Sequence, residues 1–498
     1  MVLHLHSEQS ADRALLDSAS AARVAVVGAG VGGTLTLSRL AELADGSWRG
    51  TALDIVDRPE SLGRGRAFGS DIAAAAVNTS AHRLEALSPT LHSFRTWHAG
   101  LGGRSTDLDI VPMSRSVYGD YLTTTLAKAI DRLRSHGVGV RLHPMHANAI
   151  RPVDGGIAVL GDTAALPPAD IAVVAPGVWS PAPTRHDTVS AYPLSGLRSR
   201  LGGSRAVAVL GSGLTAVDVA CTLDDGETRI HLLSRSGTLP RVQVEAARTG
   251  DAPEHLTAEA FRSHTGGLTA EAVLSLLDRE LARFGRTRAD IFSDAAHADH
   301  WTDPLADPAD LACYHTLSAT NQALNTAFAL LPAAERHALR DALGPRWFRY
   351  RVRVPLSRWR QLRRMQAEGR LMVHGGIDAR QTGLDDVLTD LGVNRLIPAL
   401  GQSSILSEGP ALVADLAAHI GCDDAGQGLV DPATGRALTP SGTPRDDLLL
   451  VGQVSAGSYF TVSALDVVAG QARRAAQTVA DHITTRTGLR MPVAGKAA

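Results

Sequence analysis

The sequence predicts an α/β chain built from two strand–turn–helix units on one polypeptide, interrupted by an all-helical stretch. Three observations carry that reading. The β-branched run Arg23–Val27 ends directly in Gly28-Ala29-Gly30-Val31-Gly32-Gly33, and a second run, Ala206–Leu210, ends in Gly211-Ser212-Gly213-Leu214-Thr215-Ala216. Between residues 251 and 344, leucine and alanine recur at helical spacing without glycine turns, most clearly over 270–284 and 321–343.

Taken in chain order, residues 1–20 lack a basic start followed by an apolar run and are expected to be a mobile leader. The first strand, its glycine turn and the helical pattern through Leu35, Leu37 and Leu40 open a unit expected to comprise residues 21–195 and 390–485. The second unit is expected over 196–250 and 345–389, the helical insertion over 251–344, and a tail over 486–498. The insertion reads either as a cap over an active site or as a packing or oligomerisation element. After Trp347 short strand-like runs return, Leu371-Met372-Val373 and Asn394-Arg395-Leu396-Ile397 among them, and a helix closes the chain over Leu465–His482. No low-complexity linker separates the units, so they are expected to be interleaved.

Composition narrows the function. A chain of 498 residues with 44% hydrophobic and 20% charged residues is long enough for about two to three domains. The net charge of -2 argues against nucleic-acid binding, which favours a basic surface. No run approaches the ~18 consecutive apolar residues of a membrane span. The three cysteines, Cys221, Cys313 and Cys422, form no Cys-x-x-Cys pair, which removes the ligands for a redox dithiol or a zinc site and suits a reducing cytoplasm. No metal is expected.

In the first glycine run, Gly28 permits the tight turn, Gly30 lets the backbone approach a pyrophosphate, and Gly33 lets helix and strand pack closely. Amide groups at the helix start then favour phosphate charge. The second strand of this unit, Thr51–Val56, ends at Asp57, about 24 residues after Gly33, where a carboxylate can read both ribose hydroxyls of an adenosine. A solvated turn carboxylate is the plain alternative. Asp54 falls inside the strand and is the weaker candidate. This unit is assigned FAD.

Gly211, Gly213 and Ala216 repeat the turn, with alanine at the third position. The strand that follows ends in Ser234-Arg235 with no carboxylate. Arg235, a permanent planar cation, suits a ribose phosphate and points to NADPH over NADH; a surface arginine at a strand end is the alternative. The fold class expected is therefore two interleaved Rossmann-like dinucleotide-binding domains with a helical insertion. Two such sites on one chain imply hydride passing from NADPH to flavin.

Further runs carry a family resemblance. Gly65-Arg66-Ala67-Phe68, Val77-Asn78-Thr79, Phe94-x-x-Trp97 and Arg115-x-x-Tyr118-Gly119-x-Tyr121-Leu122 stand in order, followed by Val173–Gly177, Trp347–Pro355, Leu450-Val451-Gly452-Gln453 and Gly470-Gln471-Ala472. Over about residues 23–480 the chain resembles two-dinucleotide-domain flavoproteins, and more narrowly bacterial FAD-NAD(P)-binding proteins related to flavin N-hydroxylating monooxygenases. The resemblance implies that Asn78 lies near the flavin, that Arg115 helps hold FAD, and that Gly452 belongs to the closing FAD segment. A turn amide and a solvated helix-start residue are the plain alternatives for Asn78 and Arg115. The sequence departs from the pattern at Ser80, where the family has proline, and at Leu84, where it has methionine.

The resemblance also implies the reaction. A small-molecule substrate and O2 would meet reduced FAD, and a flavin 4a-hydroperoxide would pass oxygen to a nucleophilic heteroatom, the amine nitrogen of an amino-acid-like substrate. Arg349, Arg351 and Arg353 alternate along a strand-like run and are the candidate carboxylate anchor; a strand edge or a cradle for NADPH phosphates is the alternative. No side chain is assigned a catalytic role, because the flavin is the reactive centre. The rival readings are an FAD-dependent NAD(P)H reductase or dehydrogenase without oxygen insertion, and a non-enzymatic flavoprotein sensor.

Overall fold

The structure is a computed structural model that describes residues 22–70, 84–85, 92–102, 113–179, 187–243, 252–293, 308–378, 383–401 and 410–488. The expected leader, the tail beyond 488 and Asn78 lie outside the described residues. Among the described residues fourteen strands follow in chain order: β1 Arg23–Val27, β2 Ala52–Val56, β3 Gly139–His143, β4 Ala147–Val153, β5 Gly156–Gly161, β6 Ile171–Val174, β7 Ala206–Leu210, β8 Arg229–Leu233, β9 Arg241–Gln243, β10 Arg353–Pro355, β11 Leu371–His374, β12 Leu396–Pro398, β13 Arg436–Leu438 and β14 Pro444–Leu450.

Ten of these strands form two larger sheets, while β4 pairs with β5 and β9 with β10 separately. The first runs β13-β14-β6-β1-β2-β3, parallel except at β13 against β14; the second runs β11-β8-β7-β12, parallel throughout. Strands covered on both faces need continuous apolar runs, which is what Arg23–Val27 and Ala206–Leu210 supply. One face of the first sheet carries the helices Val31–Leu43, Arg115–Ser135 and Leu465–Gly488, whose alanine- and leucine-rich sides bury Val24, Val26, Leu37, Ala476 and Val479 together. The other face carries the β4–β5 hairpin and the helix Ala411–Ala417. The chain leaves the first sheet after β6, builds the second, and returns to complete the first with β13 and β14.

Two expectations change here. Leu396–Pro398 falls within the range assigned to the first unit, yet β12 hydrogen-bonds to β7 and extends the second sheet. A three-residue apolar strand does not specify its sheet; only its register against Ala208–Leu210 does. Second, Arg349, Arg351 and Arg353 do not share a strand face. The helix Ala333–Arg351 continues through Pro345, because Leu339, Leu343, Trp347 and Tyr350 form a helical stripe buried in the core of the insertion. Arg349 and Arg351 are therefore helical, and only Arg353 lies in β10.

The insertion is helical as expected, with a break at Pro332 between Asn321–Leu330 and Ala333–Arg351. It clasps the first unit through buried polar bonds. Asn325 exchanges two hydrogen bonds with the Thr461 backbone, at 2.9 and 3.0 Å. The Arg340 guanidinium donates to the carbonyls of Ala456, Gly457 and Tyr459 at 2.9–3.2 Å and pairs with Asp423 at 2.5 Å.

Candidate functional site

Both glycine turns sit at the carboxyl ends of central strands, where parallel α/β sheets bind ligands. Gly28 adopts φ +91°, and a Cβ there would lie under 3.0 Å from the Ala175 carbonyl that follows β6. A Cβ at Gly33 would collide with the Gly28 carbonyl, so helix and strand touch backbone to backbone. A Cβ at Gly30 would stand 3.1 Å from Gly65 Cα, in the loop laid over the turn. Asp57 ends the second strand and reaches back across it. Its Oδ2 accepts from Ala29 N–H and its Oδ1 from Arg58 N–H, both at 2.7 Å. Burial pushes the Asp57 carboxyl up, against the pull of those two donors. Asp54 is enclosed instead, with Arg23 at 2.9 Å and His143 at 2.8 Å.

Gly452 closes the same edge. It follows β14 with φ +88°, and its N–H donates to Gln471 Oε1 at 2.7 Å; Gln471 is buried. The neighbouring Val451 packs where a Cβ on Gly32 would stand, 3.0 Å away. Gly28, Gly30, Gly33, Asp57 and Gly452 thus share one edge of the first sheet.

The intervening sequence runs have a packing explanation. Phe68, Leu84, Phe94, Tyr118, Tyr121 and Leu122 form one buried cluster, with Phe68 and Tyr118 rings 5.1 Å apart. Gly119 belongs to it because a Cβ there would collide with the Phe68 carbonyl. Three runs that the sequence places in order therefore pack together and hold the Gly63–Phe68 loop over the first turn. Leu84 fills this cluster where the family pattern has methionine.

The second turn repeats the first with different chemistry. Gly211 adopts φ +120°, and its missing Cβ would collide with the Ala399 carbonyl after β12. A Cβ at Gly213 would meet nothing within 4 Å among the described residues, so that side of the turn is open to a phosphate. Ala216 is buried with its own Cβ accommodated. Ser234 occupies the strand-end place that Asp57 holds in the first unit. Its Oγ accepts from Ser212 Oγ at 3.1 Å and from Gly237 N–H at 3.0 Å. Arg235 is exposed, and its side chain makes no hydrogen bond or ion pair among the described residues. An exposed guanidinium beside an open turn could take a dinucleotide that carries an additional phosphate.

The remaining candidates go elsewhere. Arg353 is buried, pairs with Asp310 at 3.0 Å and lies 3.8 Å over the Tyr314 ring. Asp310 also holds Arg241 at 2.7 Å. Arg353 thus ties the insertion to the second unit. Arg115 begins its helix beside the first unit, yet its Nη1 stands 2.8 Å from Asp218 Oδ2 in the helix after the second turn. Sequence reading placed Asp218 at the end of the run Gly211–Asp218 that resembles the family's second nucleotide site and gave it no role of its own; its signal is a carboxylate two residues past the glycine motif. All three cysteines are free, with burial pushing Cys221 up to about 12 and Cys313 up to about 11. Among the described residues no cluster of His, Cys, Asp and Glu could hold a metal, and no helix is long and apolar enough to cross a membrane.

Residues 25–178 match the model of an FAD-NAD(P)-binding family. No curated protein matches by sequence. Among solved structures, the reduced form of ornithine hydroxylase from Pseudomonas aeruginosa aligns over 93% of this chain and 99% of its own, with 13% identity and a TM-score of 0.55. Thioredoxin reductase from T. acidophilum aligns over 92% of this chain and 97% of its own, with 11% identity and a TM-score of 0.40. A lysine monooxygenase from Nocardia farcinica aligns over 43% of this chain and 62% of its own, with 17% identity and a TM-score of 0.31. Residues 25–178 form an FAD-NAD(P)-binding domain, and the chain has the fold of two Rossmann-like dinucleotide-binding domains that the ornithine hydroxylase structure shares.

Proposed function

We propose that the protein is an FAD-dependent, NADPH-using monooxygenase that oxygenates a nucleophilic heteroatom, an amine nitrogen of an amino-acid-like substrate. The observation that carries this reading is the pairing of two unlike dinucleotide cradles on a chain whose three cysteines are free and separated. Electrons accepted from a nicotinamide then have no dithiol to go to, and a small diffusible oxidant such as O2 takes that place.

The residues divide the work. Gly28, Gly30 and Gly33 shape the pyrophosphate turn for FAD, and Asp57 stands where an adenosine ribose would be read. Gly452, held by Gln471, lines the same edge. Gly211, Gly213 and Ala216 shape the NADPH turn, with Ser234 and Arg235 at the ribose phosphate. Bound FAD supplies a two-electron centre that NADPH reduces and O2 reoxidises. The helical insertion, clasped onto residues 456–461 by Arg340 and Asn325, covers the segment beside Gly452 and so helps exclude water from that edge. The fold shared with an ornithine hydroxylase supports this architecture and leaves the substrate to experiment. No carboxylate anchor is assigned to Arg349, Arg351 and Arg353, since they do not share a face.

The test is product analysis under labelled O2 with NADPH and a panel of amino acids and amines. Label in an organic product is the expected result. Rapid reduction of another acceptor without O2, and no label in any product, would replace this reading with an NAD(P)H reductase.

A further inference from the structure

The helix Leu214–Thr222 after the second glycine turn sends Ala216, Val217, Val219 and Ala220 into the second unit's core. Asp218 lies on the opposite side of that helix, yet it is only 9% exposed. The cover comes from Arg115, 2.8 Å away at the start of a first-unit helix, with Tyr192 and Arg358 close by. Burial pushes the Asp218 carboxyl up, against the pull of the Arg115 and Arg358 charges. Thr215, on the same helix face, lies beside the Tyr192 hydroxyl. Above Tyr192 stands the guanidinium of Arg66, 4.8 Å from the ring centroid. Arg66 follows Gly65, the residue against which Gly30 packs.

A continuous path of contacts therefore links one glycine turn to the other: Gly30, Gly65-Arg66, Tyr192, Thr215. The Arg115–Asp218 pair runs beside it. In the first unit, the places of Thr215 and Asp218 are taken by Gly32 and Leu35, and Leu35 is a core residue. The polar pair is thus particular to the second helix, and nothing in the glycine turn itself requires it.

We propose that Arg115 and Asp218, backed by Arg66 and Tyr192, are a positioning pair that sets the register between the two nucleotide units, holding the second glycine helix at the orientation in which NADPH reduces the flavin. The proposal rests on the FAD and NADPH reading of the two turns. It departs from a role for Arg115 as a ligand of FAD alone. Hydride transfer is steeply sensitive to donor–acceptor placement, so a small change in this register costs rate without costing affinity.

The test compares the flavin-loaded wild type with Asp218→Asn and with the charge-exchanged double variant Arg115→Asp/Asp218→Arg. Flavin content, NADPH affinity, the anaerobic rate of flavin reduction and backbone hydrogen exchange are measured for each. Asp218→Asn is expected to keep its flavin and bind NADPH as the wild type does. Its reduction rate is expected to fall on the order of tenfold to a hundredfold. Exchange is expected to rise over residues 115–120 and 187–193, and the double variant to recover part of the rate. Should Asp218→Asn not fold, Tyr192→Phe takes away the hydroxyl beside Thr215 and Asp218, keeps the ring under Arg66, and is expected to slow reduction severalfold. Wild-type rate and exchange in the variant overturn the proposal, and so does flavin loss in Asp218→Asn. If the wild type takes up no FAD, the functional reading fails first. The register pair is then judged by exchange alone, and unchanged protection in Asp218→Asn overturns it.

Discussion

The two glycine turns have the same backbone plan and opposite surroundings. In each, the first glycine has positive φ and faces the carbonyl of an alanine just past a neighbouring strand, Ala175 in one and Ala399 in the other. In each, the residue ending the second strand reaches across to the middle of the turn, Asp57 to Ala29 and Ser234 to Ser212. Beyond that they part. The first turn is roofed by the Gly63–Phe68 loop and its aromatic cluster and carries a carboxylate. The second is open at Gly213, tolerates a methyl at Ala216 and presents an exposed cation. A roofed cradle with a carboxylate suits a resident FAD, while an open one with a cation suits a nucleotide that must arrive and leave each turnover.

The sharpest way to break this comparison is at the third position of the turn. Gly33→Ala puts a Cβ into the Gly28 carbonyl and is expected to destabilise the protein by about 4 kcal/mol or more. The reciprocal change, Ala216→Gly, is expected to cost about 1 kcal/mol. Denaturant unfolding followed by circular dichroism measures both, and similar losses would show that the turns pack alike. Next in size, Gly30→Val crowds Gly65 and the pyrophosphate space together, and the purified variant is expected to lose the flavin absorbance of the wild type. A folded Gly30→Val protein with normal flavin would remove FAD from the first turn.

Arg235→Ala tests the second turn. Loss of a charged phosphate contact is expected to weaken NADPH binding about tenfold to a hundredfold and to leave NADH use nearly unchanged. Equal losses for both nucleotides in titration of flavin reduction would make the residue structural.

The smallest effect concerns pH, and it separates two matching strands. At matching places in the two sheets stand Asp54 on β2 and His231 on β8, opposite Ala25 and Ala208. Burial raises the Asp54 carboxyl, but the His143 hydrogen bond and the His143, Arg141 and Arg23 charges outweigh it, leaving it below the usual range. His231 packs on His374 with Nδ1 3.0 Å from Nε2, and burial together with that neighbour pushes it down to about 4. A depressed carboxyl stabilises the fold above its ordinary pKa of 3.8 and loses that contribution only as pH falls lower. A depressed imidazole works the other way: below pH 6.5 the unfolded chain takes up a proton that the folded chain refuses, so stability drains away down to about pH 4. Burial lowers His92 and His482 in the first unit as well, so the expected difference is local: β8 loosens on acidification sooner than β2, whose Asp54 pairing persists. Hydrogen exchange of β8 against β2 between pH 6.5 and 4.5 measures this, with His231→Gln expected to flatten the trend. Equal loosening of both strands in the wild type would contradict it.

What the sequence determined alone is local. Positive φ at Gly28 and Gly211, buried strands before them, helices after them, and the contrast between strand-end Asp57 and mid-strand Asp54 all follow from short stretches whose backbone conformation is set by their own residues. The isolation of the three cysteines was equally legible. Tertiary structure decided the partners. A three-residue run such as Leu396–Pro398 can join either sheet, and the arginines from 349 to 353 suit a strand until Trp347 and Tyr350 find the insertion core and hold the backbone helical. Arg115 could serve a flavin or Asp218, which lies 103 positions along the chain, and only the docking of the two units brings that carboxylate to 2.8 Å. Burial and pairing across such distances depend on how whole elements pack, and no local pattern encodes them.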